Sequence, residues 1–300
     1  MTSQIHCLLR QSALNKMQPS MRTAVRTHEP PFARPAEFLG SVWRDLRRSQ
    51  ALAVEIAKRD IRSQYRHSLL GPLGVLLFPL VLTALALGFH SSGILKVDSS
   101  GVPYTLYVLV GVILWTTFIE ALNAPVYGLI AELRLLARTT APPEAIILGK
   151  LGPVLLNLLL KLVLVVGVLA WYHTSIPLAA VLTPIGLFGL ALLGTAIGLL
   201  VAPLNLFYRD VSWILGTVTT VWFFFSPVYF PAPSGGIIGF IINLNPVTPL
   251  LSDTRSLLLT GNTMTPVRSV LTLLGACLLL VACWLYARIM LWAAIEQVNE

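Results

Sequence analysis

Six apolar stretches, each near twenty residues long and almost free of charge, constrain this chain more than any other feature. They fall at about 69–90, 104–127, 146–171, 177–202, 211–231 and 267–292. At ~1.5 Å rise per residue, a helix of ~20 residues covers the ~30 Å hydrocarbon core of a bilayer. Only 11% of the 300 residues are charged, whereas soluble domains carry about a quarter. The expected fold is therefore an all-α integral membrane protein with six transmembrane helices, occupying 69–300. Pro79, Pro125, Pro153, Pro184 and Gly186 lie inside these stretches. They would weaken soluble helices, but a packed bundle tolerates them because neighbouring helices satisfy the freed backbone groups. Gly194-Thr195-Ala196-Ile197-Gly198 is a small-residue surface for close helix contact, expected within one chain rather than at a dimer seam.

About a dozen of the 21 Lys and Arg precede residue 68. They flank apolar spans and form no stripe interleaved with aromatics, so the net charge of +8 speaks for retention at an anionic membrane face and not for nucleic acid. Residues 1–35 read as a disordered cytoplasmic tail, with Met17 or Met21 as alternative starts. No short apolar core or cleavage site marks a secretory signal, so the first span is expected to act as an uncleaved insertion signal. Over 36–68, Phe38, Leu39, Val42, Leu46, Ala53 and Ile56 recur every three or four residues, with Arg44, Arg47, Arg48 and Lys58 elsewhere. That is the pattern of an amphipathic helix lying in the membrane interface, or docking on another protein. Arg134, Arg138 and Arg209 share one set of loops with the basic N-terminus. By the positive-inside bias this places both termini in the cytoplasm.

Two segments depart from plain spans. Pro231–Met264 is too long for a turn, and its run Gly235–Ile242 is too short to cross, which predicts a re-entrant or interfacial outer piece between spans five and six. The loop 128–145 carries Leu129, Ile130, Leu133 and Leu136 with Glu132, Arg134 and Arg138. It predicts a short amphipathic helix parallel to the membrane, ending at Pro142-Pro143. Cys7, Cys277 and Cys283 have no His or carboxylate companions and read as small apolar residues, with no metal site.

Four motifs, met in this order, resemble the type-2 ABC permeases that export polysaccharides, O-antigens and teichoic acids. They are Lys58–Leu73 with its Ser68-Leu69-Leu70-Gly71-Pro72 turn, Leu204-Asn205-Leu206-Phe207-Tyr208-Arg209-Asp210, Ser226-Pro227-Val228-Tyr229, and Leu244-Asn245-Pro246-Val247-Thr248-Pro249. The resemblance spans about residues 55–290. Two positions depart from it: Gly74 stands where a tryptophan is usual, and Pro143 where a basic residue is common. The resemblance implies a homodimer in the bacterial inner membrane, a separate ATP-hydrolysing subunit, and a lipid-linked glycan as cargo. No Gly-x-x-x-x-Gly-Lys-Ser/Thr loop occurs in the sequence, so ATP and Mg are expected on the partner subunit and no cofactor on this one. A neighbouring reading is an ABC-2 exporter of a small lipophilic compound or lipo-oligosaccharide. A membrane-embedded enzyme would need clustered acids or a His/Asp site, and His67, His90 and His173 are scattered, so no catalytic residue is named. An ion-coupled carrier should show internal repeats and several intramembrane charges, and the sequence shows neither.

Glu120 is ionisable inside the second span, where an unpaired charge costs at least ~2.5 kcal/mol, so it should face the bundle and have a partner. Lys150, about 6 Å into span three against about 10 Å for Glu120 into span two, matches best in depth; Lys161 lies deeper and would have to reach. An ion pair Glu120–Lys150 that fixes helix register is the expected role, with gating the alternative. Asp210 reads as a cap on span five, with Arg209 pairing lipid phosphate; alternatively Arg209 and Asp210 form a hinge that transmits ATPase motion. Glu132, Arg134 and Arg138 are the candidates for contact with the ATPase, against a plain solvated turn. Within the aromatic set of span five, Trp222 and Tyr229 are candidates to line a glycan path, against an ordinary interface belt.

Overall fold

The computed structural model describes residues 35–66, 69–93, 102–138, 142–173, 177–208, 210–232 and 235–299. The described residues Pro35–Val42 belong to one unit and Trp43–Glu300 forms the other. Residues 1–34 of the expected 1–35 tail, Arg209 and the loop carrying Lys96 lie outside the described residues, and Pro35 already begins the first helix. The elements among those described are helical. They are α1 (Pro35–Arg66), α2 (Gly74–Ser91), α3 (Tyr104–Arg138), α4 (Pro143–Trp171), α5 (Thr183–Phe207), α6 (Asp210–Phe224), α7 (Gly236–Leu244), α8 (Val247–Leu259) and α9 (Pro266–Asn299). Short 3-10 turns at Gly71–Leu73 and Leu178–Leu182 lead into α2 and α5.

Among the described residues, five helices are long and apolar enough to cross a membrane: Gly71–Ser91, Tyr104–Leu133, Pro143–Trp171, Leu178–Phe207 and Pro266–Leu291. The expected span at 211–231 is not among them. Its helix α6 has 15 residues, about 22 Å at the standard rise. The reason is local. Pro227 has no N–H to donate and pushes Ser226 away from helical dihedrals, so the helix stops at Phe224.

In the larger unit α3 is the central helix. It packs on α5, α4, α2 and α8, while α5 packs in turn on α9 and α8. Of the apolar stretch of α3, 78% is buried, against 17% for that of α2 and 17% for that of α9. α3 and α5 approach closely because Gly194 and Gly198 carry no side chain. A Cβ on Gly194 would run into the Phe118 carbonyl oxygen, and one on Gly198 into that of Leu122. The small-residue surface is thus used inside the chain. The outward faces are apolar as well: Leu77, Leu80 and Val81 on α2, Val163 on α4, and Leu271 and Leu278 on α9 are all exposed. So large an exposed apolar surface marks contact with lipid or protein.

One expectation is corrected at the end of α3. No separate surface helix occupies 128–145: α3 runs unbroken for 35 residues to Arg138, and α4 starts at Pro143. The α3–α4 turn therefore lies well beyond residue 127. The amphipathic segment 36–68 is helical as α1, but part of its apolar side meets protein. Ala53 and Ile56 are buried, and Ile56 and Ala57 sit where side chains on Gly149 and Gly152 of α4 would stand. Beyond α1, Gly71 takes φ +53°. A residue with a Cβ would pay roughly 1–2 kcal/mol for that conformation, which accounts for glycine in the Gly-Pro turn.

The segment Pro231–Met264 folds into α7 and α8, both too short to span. α8 is largely buried, and its Arg255 anchors the unwound stretch after α6: Nη1 donates to the carbonyls of Pro227 (2.9 Å) and Val228 (3.2 Å). The guanidinium also lies 3.6 Å from the centre of the Tyr107 ring. Asp253 closes the other end of the segment, accepting from the backbone of Met264 and Thr265 and from the Ser269 hydroxyl.

Candidate functional site

The α3–α4 hairpin is antiparallel and turns between Arg138 and Pro143. Residues placed symmetrically about that turn face each other, which sets Glu120 opposite position 161 and Glu132 next to Lys150. The contacts follow this register. Lys161 Nζ donates to Glu120 Oε1 at 2.6 Å and to Thr116 Oγ1 at 3.1 Å. The expected Glu120–Lys150 pair does not form. That pairing took 127 and 146 as matching helix ends, and moving the turn out to 138–143 shifts the partner of Glu120 to Lys161.

Lys150 instead bonds Asp60 of α1 at 2.6 Å and Glu132 at 3.1 Å. Its stem crosses α3 over Gly128, where any side chain would strike Lys150 Cγ. Arg59 pairs with both Glu132 and Asp60, so two acids and two bases tie α1, α3 and α4 together. The Glu132 carboxylate beside Arg59 raises the guanidinium pKa above its ordinary value. Glu132 is therefore buried and engaged within the chain, in contrast to its expected place on a surface that meets a partner. The side chains of Arg134 and Arg138 lie outside the described residues. Asp210 is the first residue of α6 and is exposed; it complements the positive helix end from within the first turn.

Next to the Glu120–Lys161 pair lies a cavity of about 730 Å³ between the end of α1 and helices α2, α3, α4 and α6. Phe78, Trp115, Phe223 and Phe224 supply aromatic wall; Gln64, Tyr65, Thr116, Glu120 and Asn157 form a polar wall, with Thr219 and Thr220 across from it on α6. Asn157 is the junction of the polar wall. Its Nδ2 donates to Glu120 Oε2 at 3.3 Å, while its Oδ1 accepts from the Tyr65 hydroxyl at 3.0 Å and from Gln64 Nε2 at 3.3 Å. Burial first, and then the Glu120 charge, push the Tyr65 phenol above its ordinary pKa, so it stays a neutral donor.

The residues expected to line a path are placed differently. Trp222 packs edge-on against Phe118 (5.3 Å) and Trp115 (6.2 Å) and borders a separate groove of about 400 Å³ with Phe225 and Asn245. Tyr229 stands edge-on to Phe223 at 5.1 Å, and its carbonyl accepts from the Tyr104 hydroxyl. Neither borders the larger cavity; Trp115, Phe223 and Phe224 do. Asn157 and Trp115 are not singled out in the sequence, and Lys161 enters there only as a deeper alternative partner for Glu120. One signal was available: Thr116/Glu120 and Asn157/Lys161 are polar pairs four residues apart within otherwise apolar spans, and such pairs share a helix face. Among the described residues no group of three or more His, Cys, Asp or Glu is placed to hold a metal ion.

The ABC-2 type transporter family matches the chain over residues 52–259. The chain is 25% identical over 222 residues to the O-antigen export system permease protein RfbA of Myxococcus xanthus, which covers 71% of this chain and 82% of that one. To the protein of the same name from Klebsiella pneumoniae it is 24% identical over 212 residues, 70% of this chain and 81% of the other.

Proposed function

Since the chain belongs to the ABC-2 type transporter family, we propose that it is the permease of an exporter that moves a lipid-linked polysaccharide across the bacterial inner membrane. O-antigen, capsule or teichoic acid are the cargo types in view. The observation that carries this reading is the 730 Å³ cavity. Aromatic faces on α2, α3 and α6 stand across from a polar wall on α1, α3 and α4, and sugars present apolar C–H faces and hydroxyl edges to match. Similarity to two O-antigen export permeases supports it.

The permease works as a homodimer with a separate ATPase, which Arg134 and Arg138 near the α3–α4 turn help to engage. ATP binding draws the cytoplasmic ends together, and the permease contributes differential contacts between the resulting states. Both termini are cytoplasmic in this reading. A sixth crossing is made by α6 with the unwound residues after it, and α7 and α8 form the re-entrant outer piece. Arg209 and Asp210 then sit at the cytoplasmic hinge of that crossing.

The experiment is glycan export in cells. Trp115→Ala with Phe223→Ala, at wild-type protein abundance, should leave the finished glycan inside the cell; unimpaired export would remove the cavity from the path. One observation favours a second reading. The cavity walls are mainly apolar and the volume is that of a site for a drug-sized molecule, which suits a small lipophilic cargo. Loss of that compound's efflux, with the glycan still reaching the surface, would establish it instead.

A further inference from the structure

We infer that Gly74 is a specificity-determining residue: its missing side chain leaves the cavity room for a sugar that carries a branch, and a large side chain there would confine the cavity to an unbranched chain. The inference rests on the glycan reading above and adds the shape of the portion that enters the cavity.

Gly71 and Gly74 are the glycines among the described residues of the cavity wall. Gly71 is accounted for by its backbone, because φ +53° disfavours any residue with a Cβ. Gly74 has no such reason. It opens α2 with φ −58° and ψ −31°, ordinary helical values that every residue except proline adopts freely. Crowding does not require a glycine either. A Cβ on Gly74 would meet the Leu70 Cβ at 3.6 Å, an ordinary van der Waals contact, and nothing else within 4 Å. This sets it apart from Gly149, Gly152, Gly194 and Gly198, where a Cβ would run into a neighbouring helix.

What a side chain at position 74 would enter is the cavity. Gly74, Val75, Phe78 and Leu82 all border it, and their spacing places them on one face of α2. The Cα–Cβ bond of a helical residue tilts toward the N-terminus, so a side chain from position 74 would lie over Gly71, which has none. The two glycines thus leave one corner of the wall bare. The polar wall is less free to make space, because Gln64, Tyr65 and Glu120 are all bonded to Asn157. An unbranched chain presents one ring at a time between the aromatic and polar walls. A branch sets a second ring beside it, and the bare corner takes that ring up. Filling the corner discriminates by clash against the wider cargo, without touching the contacts that hold the main chain.

The test uses full-length protein with its ATPase in lipid nanodiscs, and binding is read by microscale thermophoresis. The probes are two isomeric tetrasaccharides, linear mannotetraose and branched galactosyl-mannotriose, which share one composition and differ in shape. The wild-type protein should bind the branched isomer at least as tightly as the linear one. Gly74→Trp should weaken the branched isomer at least about tenfold and leave the linear one within about threefold. Retained binding of the linear isomer also shows that the variant is folded. Gly74→Leu keeps the test valid if the tryptophan variant folds poorly, and should weaken the branched isomer alone by at least about threefold. Gly74→Ala should bind both isomers as the wild type does, since its Cβ fits. Weaker binding of the branched isomer to the wild-type protein, or equal effects of a folded large-residue variant on the two isomers, would overturn the inference while the glycan reading stands. If neither isomer binds the wild-type protein, the glycan reading fails and the inference goes with it.

Discussion

Glu120 and Lys161 are 41 positions apart in sequence and 2.6 Å apart in space. Removing one member of a buried ion pair leaves an uncompensated charge and costs about 3–5 kcal/mol, whereas replacing both by apolar residues of similar size is often neutral. Lys161→Met should accordingly lower the melting temperature of the purified protein and its abundance in the membrane. Glu120→Leu/Lys161→Met should recover most of both. Equal losses in the single and double variants would mean that the pair contributes little. The existence of a partner for Glu120 could be argued from the sequence, because a charge at that position cannot stay alone in hydrocarbon. Which lysine answered could not be, since it depended on where a hairpin turned, some twenty residues away.

Between elements, α3 and α5 cross closely where Gly194 and Gly198 bring one helix against the carbonyls of the other. Gly198→Ala should force the helices apart and cost about 1–3 kcal/mol, the usual penalty of overpacking. Gly167→Ala on α4 meets open space and should be neutral or stabilise by up to about 1 kcal/mol through helix propensity. Thermal melting of the two variants in detergent separates them, and equal effects would refute the packing argument. The length of α6 was also open to a closer reading of the sequence. Ser226-Pro227 carries its own stop signal, but the surrounding apolar residues continue the hydropathy pattern past it. Hydropathy measures transfer to lipid and is blind to a missing N–H. What holds the chain once the helix has stopped is the guanidinium of Arg255, on an element reached only after α7.

For the whole molecule, the proposed topology puts the α3–α4 turn in the cytoplasm and the α2–α3 loop outside. Single cysteines introduced at Arg138 and Lys96 should react with a membrane-impermeant maleimide from opposite sides of the cell membrane. Labelling from the same side would refute the proposed orientation.

Composition and periodicity alone established that this is a multi-span helical membrane protein, because transfer of apolar side chains to lipid is a local property summed along the chain. The same sequence carried the motifs of its family and the small-residue surface used between α3 and α5. Only the tertiary structure decided that Lys161 answers Glu120, that Lys150 and Glu132 join Arg59 and Asp60, and that Trp115 and Phe223 share a cavity with Tyr65. Those are meetings of residues from different helices. Their register is set by turn positions, helix ends and glycine contacts acting together, and no window of sequence contains all three.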